Sequence, residues 1–119
     1  MSEAVQHQPV FDPQDLERLL VIRQNAGDID GMTALFEPDA VIDCGGGRFI
    51  RGLEEIREFY IETVQAGRKF AFGEQRPALI CGDIALTSTR LPDGSVTSEV
   101  ARRQSDGSWL WVIDRYSVT

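Results

Sequence analysis

Residues 35–60 contain, in this order, a predicted strand, a run of three glycines and a predicted helix. Residues 39–44 alternate side chains as a half-buried strand does. The glycines at 45–47 predict a bend or bulge, because a glycine run interrupts a regular strand. Gly52 then opens a helix whose apolar residues recur at helical spacing. The segment therefore predicts an α+β domain in which a helix follows directly on a sharply bent strand.

Two helices precede this segment and a series of strands follows it. Apolar spacing predicts a first helix that stops at Gly27, and Asp28 is placed to cap a short second helix that ends before Pro38. From Arg68 onward the pattern changes to short strands separated by turns, and the Asp-Gly pair at 106–107 predicts a terminal hairpin. This order predicts three N-terminal helices packed on a strongly curved, mostly antiparallel sheet.

The chain has 119 residues, which is enough for one hydrophobic core. We predict a flexible lead-in at residues 1–12, which is polar and lacks the regions of a signal peptide, and a single domain at residues 13–119. No apolar run predicts a membrane span. Cys44 and Cys81 are too few for a disulfide framework, so we expect two reduced, partly buried thiols and a cytoplasmic protein.

Charge and histidine content exclude several function classes. The net charge is -7 and the basic residues are scattered, which argues against a nucleic-acid partner. The single histidine, His7, lies in the predicted lead-in, so a zinc site and a Ser-His-Asp triad are not expected in the domain. We predict no metal and no cofactor. Any chemistry must use Asp, Glu, Tyr, Arg or Cys side chains.

The last strand is apolar on both faces. Strict alternation divides it into an outer set, Trp109, Trp111 and Ile113, and an inner set, Leu110, Val112, Asp114 and Tyr116. The three helices cover one face of the sheet, so a second covering layer is needed. We predict a homodimer through the outer set. The alternative is an unusually apolar exposed face.

Several short motifs resemble known families. Residues 27–29 (Gly-Asp-Ile), 39–40 (Asp-Ala) and 56–60 (Ile-Arg-Glu-Phe-Tyr) resemble ketosteroid isomerases, and residues 102–114 resemble the ending of SnoaL-like and YybH-like small proteins. All belong to the nuclear transport factor 2-like superfamily, whose cone-shaped, cystatin-like α+β fold encloses a pocket. The resemblance spans about residue 16 to the C-terminus. Most SnoaL-like and YybH-like members have no established activity, so it implies a fold and a pocket rather than a reaction.

Ketosteroid isomerases shift a double bond with a carboxylate base and an oxyanion hole of a tyrosine and a protonated aspartic acid. The resemblance assigns Cys44 to the position of the base, Leu20 to that of the tyrosine and Glu99 to that of the acid. Two of the three positions therefore differ. Since losing one oxyanion donor costs on the order of a hundredfold in rate, we predict no appreciable isomerisation of Δ5-3-ketosteroids.

The candidates for pocket chemistry are carboxyl, phenol, thiol and guanidinium groups. They are Glu99, Asp114, Tyr60, Tyr116, Cys44 and Arg48, with Val112 and Leu20 as further pocket positions. Two carboxyls in one apolar cavity raise at least one pKa, which suits a general acid or base near neutral pH. Hence Glu99 and Asp114 are the catalytic candidates.

Each of these assignments has a simpler alternative. Asp114 could pair with Arg115 or Arg103 at a rim. Glu99 would be solvated if the strand register slipped by one residue. Cys44 is more often a small apolar filler than a nucleophile.

Two function classes stay open at this point. The first is an enzyme that uses a carboxylate as acid or base on a small apolar or amphipathic molecule, as a cyclase, isomerase, dehydratase or hydrolase does. The second is a module that binds or senses such a molecule without catalysis. A purely structural dimer is a third and weaker option.

Overall fold

The protein is described by a computed structural model that covers residues 7–119. In chain order its elements are α1 (Asp15–Asn25), α2 (Ile29–Thr33), β1 (Phe36–Gly45), β2 (Arg48–Arg51), α3 (Gly52–Gln65), β3 (Glu74–Gln75), β4 (Leu79–Cys81), β5 (Ile84–Thr87), β6 (Thr89–Arg90), β7 (Ser98–Arg103) and β8 (Trp109–Arg115). The predicted architecture, three helices on a curved and mostly antiparallel sheet, is confirmed. No helix in this part of the chain is long and apolar enough to cross a membrane.

The main sheet has the strand order β2-β1-β8-β7-β5-β4. The pair β1–β8 is parallel, and the other pairs of this sheet are antiparallel. The short strands β3 and β6 form a separate antiparallel pair. The sheet stays open and does not close into a barrel. Because β8 lies between β1 and β7, the terminal hairpin forms the centre of the sheet.

The glycines at 45–47 form the turn between β1 and β2. All three have positive φ angles, from 61° to 89°, a region that residues with a Cβ rarely adopt. The ladder resumes with Gly45 opposite Arg48 and Asp43 opposite Phe49. This turn places β2 beside β1 and delivers the chain to Gly52, where α3 begins.

Two element boundaries differ from the sequence prediction. The second helix ends at Thr33, and β1 starts at Phe36 and runs through Pro38. A register shift in the β1–β8 ladder between Phe36 and Val41 explains how a strand accepts a proline, because Pro38 falls where the ladder is interrupted. Farther on, the strand predicted near residues 69–75 is reduced to the two residues of β3.

Residues 7–12 of the predicted lead-in contact the body of the domain. Val10 is buried, and the backbone N–H of Trp109 donates to its carbonyl oxygen at 2.7 Å. The His7 Nε2 lies 2.7 Å from the Asp28 Oδ2. One apolar residue and two polar contacts thus join this part to the domain, and its predicted flexibility stays a prediction. The remaining part of that prediction, at residues 1–6, lies outside the described residues.

A bulge at Val112 changes the faces of β8. Trp111 pairs with Ala101 while Ile113 pairs with Val100, so Val112 is the extra residue of the ladder. Trp109 and Trp111 are buried under the helices, whereas Ile113 is 50 % exposed on the other face. The prediction that both tryptophans lie on the outer face is wrong, because strict alternation fails where one strand carries an additional residue.

Trp111 lies at the centre of the core and is 0 % exposed. Its ring packs against Phe36 at a centroid distance of 5.3 Å, and Phe36 in turn packs against Tyr60 of α3 at 6.1 Å. Aromatic pairs at these distances add to the free energy gained by burial. The contacts join β8, β1 and α3 into one core.

We expect Trp111→Ala to lower the free energy of unfolding by about 3–5 kcal/mol, because it leaves a large cavity in the core. Ile22→Ala is the matched control on the exposed side of α1 and should change it by no more than about 0.5 kcal/mol. Urea unfolding of the purified variants measures both values. Equal losses in the two variants would contradict the inward orientation of Trp111.

Candidate functional site

A cavity of about 110 Å³ lies between α1 and the inner face of the sheet. Its wall combines carboxyl groups with apolar and hydroxyl side chains. The lining residues are Glu17, Leu20, Arg68, Phe70, Leu91, Thr97, Glu99, Asp114 and Tyr116. Helix α1 contributes the first two, and β7 and β8 contribute the carboxyls of the opposite wall. The remainder comes from the chain on either side of the β3–β6 pair.

Glu99 and Asp114 are direct partners across the β7–β8 ladder. They are 1 % and 3 % exposed, and both line the cavity. The Thr87 hydroxyl donates to Glu99 Oε1 at 2.7 Å. The other oxygen, Glu99 Oε2, is buried and has no hydrogen-bond partner within residues 7–119. A buried carboxyl oxygen without a protein partner is costly, which makes it a candidate for contact with a ligand.

Burial is the main cause of the raised pKa of Asp114, which stands well above its usual value. The nearby charges of Glu99, Glu17 and Asp43 raise it further. Burial also raises the pKa of Glu99, but the nearby Thr97 hydroxyl and the hydrogen bond from the Thr87 hydroxyl oppose this by favouring the ionised form. Since the two groups face each other, they titrate as a pair. When the pair carries one negative charge, these hydrogen bonds favour placing it on Glu99.

Glu17 is a third carboxyl in the cavity, and the sequence analysis did not identify it. Burial, followed by the charge of Glu99, raises the pKa of Glu17 to about 8. The available signal was its position one helical turn before Leu20, which places both side chains on the same side of α1. A charged residue in a helix normally suggests a solvated face, so this signal was overlooked.

Tyr60 and Tyr116 form a hydroxyl pair at one side of the cavity, with 2.8 Å between their oxygens. Burial raises the pKa of both phenols well above the usual value, so they stay protonated. Tyr116 lines the cavity, whereas Tyr60 stands behind it and holds its hydroxyl in place. Of the two sequence candidates, therefore, Tyr116 is in position to touch a ligand and Tyr60 to orient Tyr116.

Three further sequence candidates do not line the cavity. Cys44 packs against the core, and burial raises the pKa of its thiol to about 11, which leaves it protonated and weakly nucleophilic. Arg48 is exposed and forms two hydrogen bonds of 3.0 Å to the Glu62 carboxylate. Val112 occupies the bulge and is not among the lining residues. Leu20, by contrast, lies in the cavity wall.

The arginines considered as rim partners of Asp114 bind elsewhere. The Arg115 Nε lies 3.1 Å from the Asp43 carboxylate, on the other side of β8. The Arg103 guanidinium lies over the Trp109 ring at 5.0 Å and within 3.9 Å of Asp83. No ion pair to Asp114 occurs in the described part of the chain, so the carboxyls of the cavity are not neutralised by arginine.

The carboxyls of the cavity do not form a metal site. Within residues 7–119 no group of three or more His, Cys, Asp or Glu side chains is arranged to hold a metal ion. The carboxyls line different walls instead, as expected around an organic molecule. The lining residues Arg68, Phe70, Leu91 and Thr97 were also missed, because they lie in irregular segments where no periodic pattern predicts orientation.

A family model described as the SnoaL-like domain matches residues 16–119. The chain belongs to this family. The resemblance to the nuclear transport factor 2-like superfamily is thereby confirmed. A search of curated protein sequences found no match to the chain.

Solved structures with the same fold include proteins from three bacteria. A ketosteroid isomerase-like protein from Erwinia carotovora atroseptica has a TM-score of 0.68 and 18% identity, over 86% of this chain and 89% of that one. A protein with a cystatin-like fold from Novosphingobium aromaticivorans has a TM-score of 0.66 and 19% identity, over 85% of this chain and 75% of that one. A protein of unknown function from Mycobacterium tuberculosis has a TM-score of 0.67 and 20% identity, over 86% of this chain and 70% of that one. At these identities the likeness establishes the fold alone.

Because the pKa of Glu17 is about 8 when folded and about 4.5 when unfolded, the native protein binds more protons than the unfolded chain between these values. Its stability should therefore fall as the pH rises from about 5 to about 8. In Glu17→Gln this loss of stability should be smaller, so the free energy of unfolding of the variant should increase relative to that of the wild type as the pH rises. Urea unfolding at several pH values tests this, with exposed Glu58→Gln on α3 as control. A difference from wild type that does not change with pH would contradict the burial of the Glu17 carboxyl.

Proposed function

We propose that this SnoaL-like protein binds a small, mainly apolar molecule in the cavity and transfers a proton to or from it through the Glu99–Asp114 pair. The supporting observation is that two buried carboxyls are ladder partners, line the same cavity, and leave Glu99 Oε2 without a partner in residues 7–119. Proton transfer by a positioned carboxyl contributes about 10²–10⁴-fold to reaction rates.

The environments of the two carboxyls suggest separate roles. Asp114 retains its proton because burial and neighbouring carboxylates disfavour its charge, so it serves as the acid. Glu99 accepts hydrogen bonds that stabilise its ionised form, so it serves as the base. Pairs of titratable groups whose environments separate their pKa values in this way are typical of acid–base sites.

The rest of the cavity would bind and orient the molecule. Leu20, Phe70 and Leu91 offer apolar surface, and Tyr116 offers a hydroxyl held by Tyr60. Apolar walls with a few fixed polar groups are the usual composition of small-molecule sites. They also exclude water from the carboxyls, which keeps their pKa values raised.

The proposal predicts that one-ring ketones incubated with the protein in D2O exchange hydrogen for deuterium at carbon next to the carbonyl. Wild type should accelerate the exchange of at least one member of such a panel, and Glu99→Gln should remove most of the acceleration, since the amide is not a base. Proton NMR measures the exchange, and Glu58→Gln serves as the control variant. The rate should also depend on pH above the range in which exposed carboxyls titrate, because the pKa values of both members of the pair are raised.

Binding of ketones without any Glu99-dependent exchange would contradict proton transfer. That outcome would support the alternative, a module that binds or senses a small molecule without catalysis. Circular dichroism and urea unfolding of Glu99→Gln distinguish loss of the base from loss of the fold.

We also propose that two copies of the chain associate through the outer face of the sheet. An apolar row crosses five strands there, because the ladders place its members side by side. It consists of Leu79, Leu86, Val100, Ile113 and Val41. Several members are strongly exposed in the single chain, Leu79 by 68 % and Ile113 by 50 %. A self-complementary contact between two such rows would remove this surface from water.

We expect Ile113→Asp to shift the protein towards the monomer, because it places a charge at the middle of the apolar row. Ile22→Asp on the exposed side of α1 introduces the same charge away from that face and should leave the assembly unchanged. Sedimentation equilibrium at micromolar concentration measures both. A wild-type protein that is monomeric under these conditions would refute the dimer.

A further inference from the structure

The cavity has an unusual charge balance. Three carboxyls reach it from two opposite walls, Glu17 from α1 and Glu99 and Asp114 from the sheet. The cation among the lining residues is Arg68, whose side chain is exposed and lies over the Phe70 ring at 5.7 Å. This places the positive charge at the opening and leaves carboxyls in the interior. The interior of the cavity therefore favours a ligand group that carries a positive charge.

A second observation indicates that a ligand fills this position. Glu99 lines the cavity, and its Oε2 is buried and has no hydrogen-bond partner within residues 7–119. The Glu17 carboxyl forms no hydrogen bond or ion pair with another side chain in the described part of the chain. Buried carboxyl oxygens are nearly always paired, so a ligand in the cavity is a natural partner for the Glu99 oxygen, and the half-buried Glu17 carboxyl lies on the same cavity.

We propose that the ligand carries a basic nitrogen, and that Glu17 binds this nitrogen in its protonated form. The inference rests on the proposed function, since it concerns the molecule that occupies the same cavity. An ammonium group supplies up to three N–H donors and one positive charge, which match a carboxylate on one wall and an unpartnered carboxyl oxygen on the other.

Other ligand chemistries fit the charges less well. An anionic ligand would meet three carboxyls, with only Arg68 at the opening to balance it. A divalent metal ion lacks the clustered ligands that it requires. A neutral molecule would meet carboxyls that largely keep their protons, so it gains only ordinary hydrogen bonds.

The assignment leaves the acid–base pair intact. One positive charge on the ligand balances one carboxylate, and Glu17 is the carboxyl that is not part of the β7–β8 ladder. Glu99 and Asp114 then keep one proton between them, as proton transfer requires. The neighbouring phenols of Tyr116 and Tyr60 remain neutral and bring no competing charge.

Benzylamine and benzyl alcohol form a matched pair of probes that differ in charge but hardly in shape. A cavity on the order of 150 Å³ holds benzene, and the cavity of about 110 Å³ is open to solvent on one side, so one-ring compounds are the largest suitable probes. We expect the wild-type protein to bind benzylamine about tenfold more tightly than benzyl alcohol near neutral pH, because hydrogen bonds to charged groups are the stronger ones. Calorimetry and ligand-observed NMR measure the two affinities.

The pH dependence of benzylamine binding provides a second readout. The pKa of Glu17 is about 8 in the empty cavity, and a bound cation lowers it, so binding should release a proton near neutral pH. Affinity should rise from about pH 6 to about pH 8, a range in which a primary ammonium keeps its proton. Calorimetry in two buffers of different ionisation enthalpy measures the released proton directly.

Glu17→Gln should weaken benzylamine binding about tenfold, abolish the proton release and change benzyl alcohol binding by no more than about twofold. Glu58→Gln on the exposed side of α3 should leave all three quantities unchanged. Equal affinity for the two probes, binding of neither at millimolar concentration, or an amine preference that survives in Glu17→Gln would each overturn the inference. The proposed proton transfer is judged separately, by Glu99-dependent deuterium exchange of ketones, and can hold even if the amine preference is absent.

Discussion

One additional residue in β8 determines both the core and the site. Because Val112 forms a bulge, Trp111 and Asp114 lie on the same side of the sheet although they are three positions apart in sequence. In a regular strand one of them would face outward. Without the bulge, therefore, either the core would lose its central tryptophan or the cavity would lose one of its two buried sheet carboxyls. The bulge also leaves Ile113 on the outer face, next to Val100 and Val41.

The electrostatics of the cavity follow from this placement. Asp114 faces Glu99 across the ladder and Glu17 across the cavity, with no arginine paired to it in the described residues. Desolvation and like charges act in the same direction, so the carboxyls hold protons at a pH where exposed carboxyls have lost them. Such an arrangement lowers stability at neutral pH, and chains commonly accept this cost at functional sites. The proposed acid–base role rests on this arrangement of carboxyls.

Much of the fold could be predicted because local patterns decide it. The glycines at 45–47, the helical spacing after Gly52 and the Asp-Gly turn at 106–107 act within a few residues of where they stand. The bulge at Val112 and the passage of β1 through Pro38 were not predictable, since both arise from pairing with distant strands. The sequence leaves the orientation of irregular segments undetermined, which is why four of the lining residues were missed.

The candidate site was predictable in part. Glu99 and Asp114 were expected on one inner face, and they lie opposite each other. The sequence pattern predicted Trp109 and Trp111 on the face opposite Asp114, together with Ile113. In the structure both tryptophans lie on the same side of the sheet as Asp114, and Ile113 lies on the other. Glu17 was missed because a carboxylate in a helix usually faces water, and only the depth of the cavity reveals its burial.

The most direct test of the account is a carbon-13 NMR titration of the side-chain carboxyls, with Glu99 and Asp114 assigned by their Gln and Asn variants. The account predicts that both pKa values lie above those of exposed carboxyls. It also predicts that Glu99→Gln lowers the pKa of Asp114, because a neighbouring negative charge is removed. Two carboxyls that titrate independently at about pH 4, as in model peptides, would contradict it.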